Sequence, residues 1–99
     1  MIVKKHSTRD GRLILAVCDS ELVCHKFEDE KFMLDLDSDF YKGEKMDEDK
    51  ILELMKQAYI INLVGEKSIN LGLKAGVIDK TNIIKVKGIK HAQGVCVSE

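Results

Sequence analysis

Asn62, Gly65 and Glu66, followed further along by His91 and Gln93, are the residues of this chain whose types and spacing could do chemistry. An imidazole titrates near neutral pH, and the amides of Asn and Gln present both donor and acceptor edges. Gly65 reads as a helix start, where unpaired backbone N–H groups can receive an anion. Glu66, in the first turn, can satisfy the same groups itself. Lys85, Lys87 and Lys90 surround His91. In a strand, Lys85 and Lys87 would point to one face while Ile84 and Val86 point to the other. With Lys4 and Lys5 nearby in the sheet, they would compose a phosphate-binding surface. Each signal also has a reading that needs no ligand. Asn62 turns the chain between two helices, Glu66 favours the helix dipole, His91 ends a loop, and the lysines keep a strand edge from pairing.

Other constellations fail on spacing. Asp35, Asp37 and Asp39 resemble the opening of a calcium loop, but its sixth position is Phe40 and its twelfth is Met46, where Gly and Glu are needed. Cys18, Cys24, His25 and Cys96 lack the close cysteine pair of a zinc site, so they read as free thiols packed as small hydrophobes. Neither a Walker loop nor a Rossmann glycine pattern is present, and no nucleophile–base set stands out. The expectation is no metal and no cofactor.

The elements that must position these residues fit one domain over 1–99, with a single modest core. Ile2 to Ser7 and Leu13 to Cys18 read as a hairpin around Asp10-Gly11. A short helix is expected through 21–27, then a half-wet strand over 32–37. Asp47 caps a helix whose stripe is Ile51, Leu54, Met55, Ala58 and Asn62. A second helix runs from Gly65 to about Ala75, ended by a left-handed Gly76. Ile83 to Val86 and Val95 to Val97 read as short strands joined by a loop over 88–94. The fold class is α+β: a mixed or antiparallel sheet of about four or five strands, with two consecutive helices packed on one face.

The net charge of −1 hides an uneven map. Residues 19–53 hold thirteen carboxylates against five lysines, between two basic ends. Such asymmetry speaks to partners rather than to fold. No apolar run reaches the length of a membrane span, and the first residues enter a strand with no signal-peptide pattern. Three cysteines cannot all pair within one chain. A cytoplasmic protein is expected, as a monomer or weak homodimer.

The segments Ala16-Val17-Cys18-Asp19, Lys26-Phe27-Glu28, Asp39-Phe40-Tyr41, Asn62-Leu63-Val64-Gly65-Glu66 and His91-Ala92-Gln93, taken in order, resemble a small archaeal family. It is known only as a domain of unknown function, number four-two-four. The likeness spans nearly the whole chain. This sequence departs from the family pattern in two places: a small residue is expected where Cys24 or His25 stands, and a Pro where Lys90 precedes His91. The resemblance implies an archaeal cytoplasmic protein and brings no activity with it.

Three functions follow as expectations. The first is a non-enzymatic module binding RNA or a ribonucleoprotein through the basic flanks, His91 and Gln93. The second is a protein-interaction module whose acidic middle meets a basic partner. The third is a small enzyme using His91 with Glu66 or Asn62, which requires those side chains to converge.

Overall fold

The computed structural model describes residues 1–96. Strands β1 (Ile2–Ser7) and β2 (Leu13–Cys18) pair antiparallel, with Val3 opposite Val17. The loop between them closes through Thr8 N–H to the Arg12 carbonyl at 2.9 Å, with Gly11 at φ 84°. A single 3-10 turn, Ser20–Leu22, leads to the hairpin of β3 (Lys26–Glu28) and β4 (Met33–Asp35), a separate two-stranded sheet. Asp29 organises its turn by accepting from the N–H groups of Lys31 and Phe32, each at 2.9 Å. A two-residue strand, β5 (Glu44–Lys45), then pairs with β1.

Helix α1 (Glu48–Gln57) starts as expected, with the Asp47 side chain accepting from Lys50 N–H at 2.9 Å. Strand β6 (Ile60–Val64) follows, and then α2 (Glu66–Ala75), which ends on left-handed Gly76 at φ 75°. A 3-10 turn at Lys80–Asn82 precedes β7 (Ile83–Val86) and β8 (Ile89–Val95). The main sheet has six strands in the order β5-β1-β2-β6-β8-β7. Only β2 and β6 run parallel. Parallel neighbours require a crossover connection, and α1 lies within it.

The α+β class with two helices on one face is therefore found, with a sheet slightly larger than four or five strands. Ile51 and Met55 of α1 and Ile69 and Leu71 of α2 pack against Val3, Leu15, Val17, Ile61, Leu63 and Ala92 of the sheet. On the other face a lobe made by Leu34, Leu36 and Tyr41 covers Ala16, Cys18, Val64 and Val86. This explains the unbroken apolar run of β2, which is covered on both sides.

Four local expectations are corrected. The helix over 21–27 is a 3-10 turn followed by β3, because the chain reverses at Cys24, whose φ is 74°. A positive φ costs least at Gly and is uncommon for any other residue. The stripe ending at Ala58 and Asn62 does not continue as helix: Ala58 caps α1, and Ile60 to Val64 form β6 at the centre of the sheet. A short apolar run rich in branched residues fits either period, and the vacancy beside β2 selects strand. The loop over 88–94 is mostly β8. Val97, the end of the expected last strand, lies outside the described residues. Lys87 does not share a strand face with Lys85. It occupies the β7–β8 turn with Gly88, at φ 53° and 77°, the paired positive values of a type I′ hairpin.

Gly72 brings α2 close to β6, since a Cβ there would lie 2.3 Å from Leu63 Cδ1. Leu63 is fully buried at that contact. Leu63→Ala is expected to cost about 2–5 kcal/mol through lost burial and a cavity under α2. A fall in the urea midpoint without a change in slope would register it.

Candidate functional site

The start of α2 is occupied by the chain's own anion. Asp19, directly after β2 and 2% exposed, places its carboxylate over the helix end. Its Oδ2 accepts from Lys67 N–H at 3.0 Å, and its Oδ1 accepts from Ser68 N–H and Ser68 Oγ, both at 2.8 Å. A carboxylate so placed is favoured by the free N–H groups and the helix dipole together. Gly65 makes room for it. A Cβ at Gly65 would stand 2.3 Å from Asp19 Cγ, and its φ of 102° is one that L side chains rarely adopt. The backbone is tied on both sides, by Asp19 N–H to the Val64 carbonyl at 3.0 Å and Gly65 N–H to the Lys90 carbonyl at 2.9 Å. Glu66 turns away from the helix start and pairs with Lys90 Nζ at 3.1 Å.

The two sequence segments singled out for chemistry are hydrogen-bonded neighbours. In the β6–β8 ladder Asn62 stands opposite Gln93, and Val64 opposite His91. Alternation along a strand puts Asn62, His91 and Gln93 on one face, the face away from the helices. Register extends the polar row across four strands as Lys4, Ala16, Asn62 and Gln93. The row beside it runs Cys18, Val64, His91 and Ile84. The lobe covers part of this face, so Asn62 and His91 are buried at 8% exposure while Gln93 is exposed. Ile84 and Val95, on the same face, are among the large apolar side chains left open to solvent.

His91 Nδ1 lies 3.0 Å from the Leu63 carbonyl. A carbonyl can only accept, so Nδ1 carries the proton and Nε2 holds the lone pair in the neutral ring. Burial lowers the His91 pKa, and the bond to Leu63 opposes that only in part. The site thus offers two amides and a neutral imidazole. The Cys18 thiol in the adjoining row is pushed up to about 12, chiefly by burial, which rules it out as a thiolate nucleophile near neutral pH. Tyr41, packed in the same cluster, is likewise raised to about 12 by burial. Among the described residues no group of three or more His, Cys, Asp or Glu is arranged to hold a metal ion.

The basic residues divide into two sets. Lys85 and Lys90 are direct cross-strand partners, on the opposite face of the β7–β8 hairpin from His91, and Lys87 forms its turn. Lys4 and Lys5 are not close to them: β1 lies three strands from β8, about 14 Å at the usual spacing. Lys4 and Lys5 also point to opposite faces. Two things found here escaped sequence reasoning. One is the pairing of Asp19 with Gly65, a contact between distant residues that only a conserved pairing could have flagged. The other is the side of β8 on which His91 falls, hidden by reading that segment as a loop.

The architecture defines a small α+β protein: a mixed sheet with helices on one face and a partly covered polar face on the other. Residues 6–97 match the family model described as protein of unknown function (DUF424), and the chain belongs to that family. No curated protein matches the chain. A solved relative in fold is the crystal structure of an uncharacterized conserved protein from Methanopyrus kandleri. It is similar to this chain at 27% identity, with a TM-score of 0.75, covering 93% of this chain and 87% of that one. No helix among the described residues is long and apolar enough to cross a membrane.

Asp19→Ala is expected to cost roughly 2–4 kcal/mol, since it strips three donors of a buried acceptor. Asp19→Asn, which keeps one acceptor oxygen, should cost less. Equilibrium urea unfolding of the two variants tests the order. His91 supplies a pH signature as well. Its folded pKa lies below the ordinary 6.5, so the unfolded chain binds the extra proton first as pH falls. Its contribution to stability is complete above about 6.5 and is lost as pH drops from there toward the folded pKa. His91→Gln should therefore lose less stability than the parent between pH 7.5 and 5. Equal losses in both proteins would refute the assignment.

Proposed function

We propose that this protein is a non-enzymatic binding module for single-stranded RNA, working in an archaeal cytoplasm. Its binding element in this reading is the β7–β8 hairpin with the adjoining face of β6. The observation that carries the proposal is the register of Asn62 opposite Gln93 beside His91, on the face away from the helices, where the lobe buries Asn62 and His91 and leaves Gln93 open. Uncharged donor and acceptor edges of this kind suit nucleobases, which are read on their edges when unstacked. Lys87 sits in the turn of the same hairpin, while Lys85 and Lys90 leave its opposite face, so phosphates would pass around the β7 edge of the sheet while bases meet the His91 face. Lys90 is already paired with Glu66, which leaves Lys85 and Lys87 as the principal phosphate contacts. The hairpin lacks the aromatic side chains that usually stack bases, so affinity would be modest and dependent on salt.

The enzyme reading is less well supported. Glu66 is held by Lys90, whose side chain leaves β8 on the face opposite His91, so the expected His91–Glu66 pair lacks a shared face. Asn62 shares a face with His91, but an amide and an imidazole alone supply no activated nucleophile.

Fluorescence anisotropy with a labelled single-stranded RNA, titrated at low salt, tests the proposal. Two phosphate contacts predict a log–log salt slope of about −1.4. Lys85→Glu with Lys87→Glu should abolish the salt-dependent part, and Gln93→Ala should weaken binding at every salt concentration. Absence of binding at low salt, or binding unchanged by the lysine reversals, would sink the RNA reading.

A further inference from the structure

A second candidate site lies at the other end of β6, about 16 Å along the strand from Gly65. There a cavity of about 860 Å³ opens between the first hairpin and the C-terminal ends of α1 and α2. Its volume falls in the range of small-molecule sites, and Leu13, Met55, Ala58 and Val77 give it an apolar wall. Among the described residues, Arg12 and Lys56 are its charged lining residues and no carboxylate lines it. That polarity stands out in a chain whose net charge is −1.

Arg12 is held in place from two directions. Its guanidinium carbon lies 4.4 Å from the centroid of the Tyr59 ring, and its Nε lies 3.0 Å from Asp10 Oδ2. Stacking fixes the plane of the fork, and the Asp10 contact uses the Nε side. The terminal Nη groups are thus pre-oriented donors, and holding a guanidinium in advance reduces the entropy lost when an anion binds. The ends of α1 and α2 carry partial negative charge. They oppose an anion on the inner wall and favour one at Arg12, with the apolar part of the ligand turned inward.

We propose that this cavity binds a small organic anion with an apolar body, whose phosphate or carboxylate head is gripped by Arg12 and whose body rests against Leu13, Ala75 and Val77. The site is separate from the hairpin proposed to bind RNA, and neither reading depends on the other. Phenyl phosphate is a suitable probe, followed by amide chemical shifts in the full chain, with inorganic phosphate and phenol as comparison ligands. Saturable shifts at Arg12, Tyr59 and Val77 are expected with phenyl phosphate, and at least about tenfold weaker binding with either half alone. Arg12→Gln should reduce the affinity by about tenfold or more while leaving the spectrum away from Tyr59 in place, since this side chain is 53% exposed and lies outside the core. Benzoate in place of phenyl phosphate distinguishes a carboxylate head from a phosphate. No saturable shift with either anion, or affinity unchanged in Arg12→Gln, would overturn the proposal.

Discussion

The carboxylate of Asp19 on the first turn of α2 is the contact around which the centre of this protein is assembled. It follows β2 immediately, so it fixes the end of that strand to the start of a helix that begins right after β6. The parallel pairing of β2 and β6 has no tight turn to set its register, because a crossover separates them. Asp19 supplies a substitute. Its side chain satisfies helix donors while its own N–H extends the ladder to Val64. Gly65 is required at the same point for two reasons: a positive φ, and a carboxylate where its Cβ would be.

This arrangement bears on where a ligand can sit. In open sheets with parallel strands, ligands gather at the carboxyl ends of those strands, near a helix N-terminus. Here that position is filled by a side chain of the protein itself, and buried polar groups there are satisfied without outside help. The two sites proposed above lie elsewhere. One is the helix-free face of β6 and β8, where Gln93 is exposed beside the buried Asn62 and His91. The other is the far end of β6, where Arg12 and Tyr59 stack over an apolar cavity. The acidic middle of the chain contributes the lobe that covers the sheet, and its Asp29 has its pKa lowered chiefly by the N–H groups of Phe32 and Lys31, with Lys87 adding to them. The uneven charge of the sequence is thus partly balanced within the fold.

Legibility followed the range of the interactions. The Asp47 cap, the Gly76 stop and the Asp10-Gly11 hairpin depend on neighbours within a few residues, and each is legible in the sequence. In sequence Tyr59 to Val64 reads as a helix junction because Ala58 and Asn62 continue the helical stripe of α1 by coincidence. Its true state is set by β2 on one side and β8 on the other. The segment 88–94 reads as a loop because Gly88 and Gly94 bracket it. Gly88 is a turn residue, while Gly94 is a strand residue packed 3.2 Å from the Val77 carbonyl, measured from where its Cβ would be. Asn62 and His91 were singled out from residue type alone, and their shared face came from a strand register that no local pattern encodes.

By itself the sequence determined the class of fold, the start of α1 at Asp47, the end of α2 at Gly76 and the first hairpin. These rest on backbone propensity, capping and apolar periodicity, which act over a few residues. Tertiary structure decided that Asn62-Leu63-Val64 is the strand beside β2, that the anion at Gly65 is Asp19, and that His91 and Gln93 flank Asn62. Those outcomes depend on residues dozens of positions apart meeting in one register. A one-residue slip would have sent every one of these side chains to the opposite face.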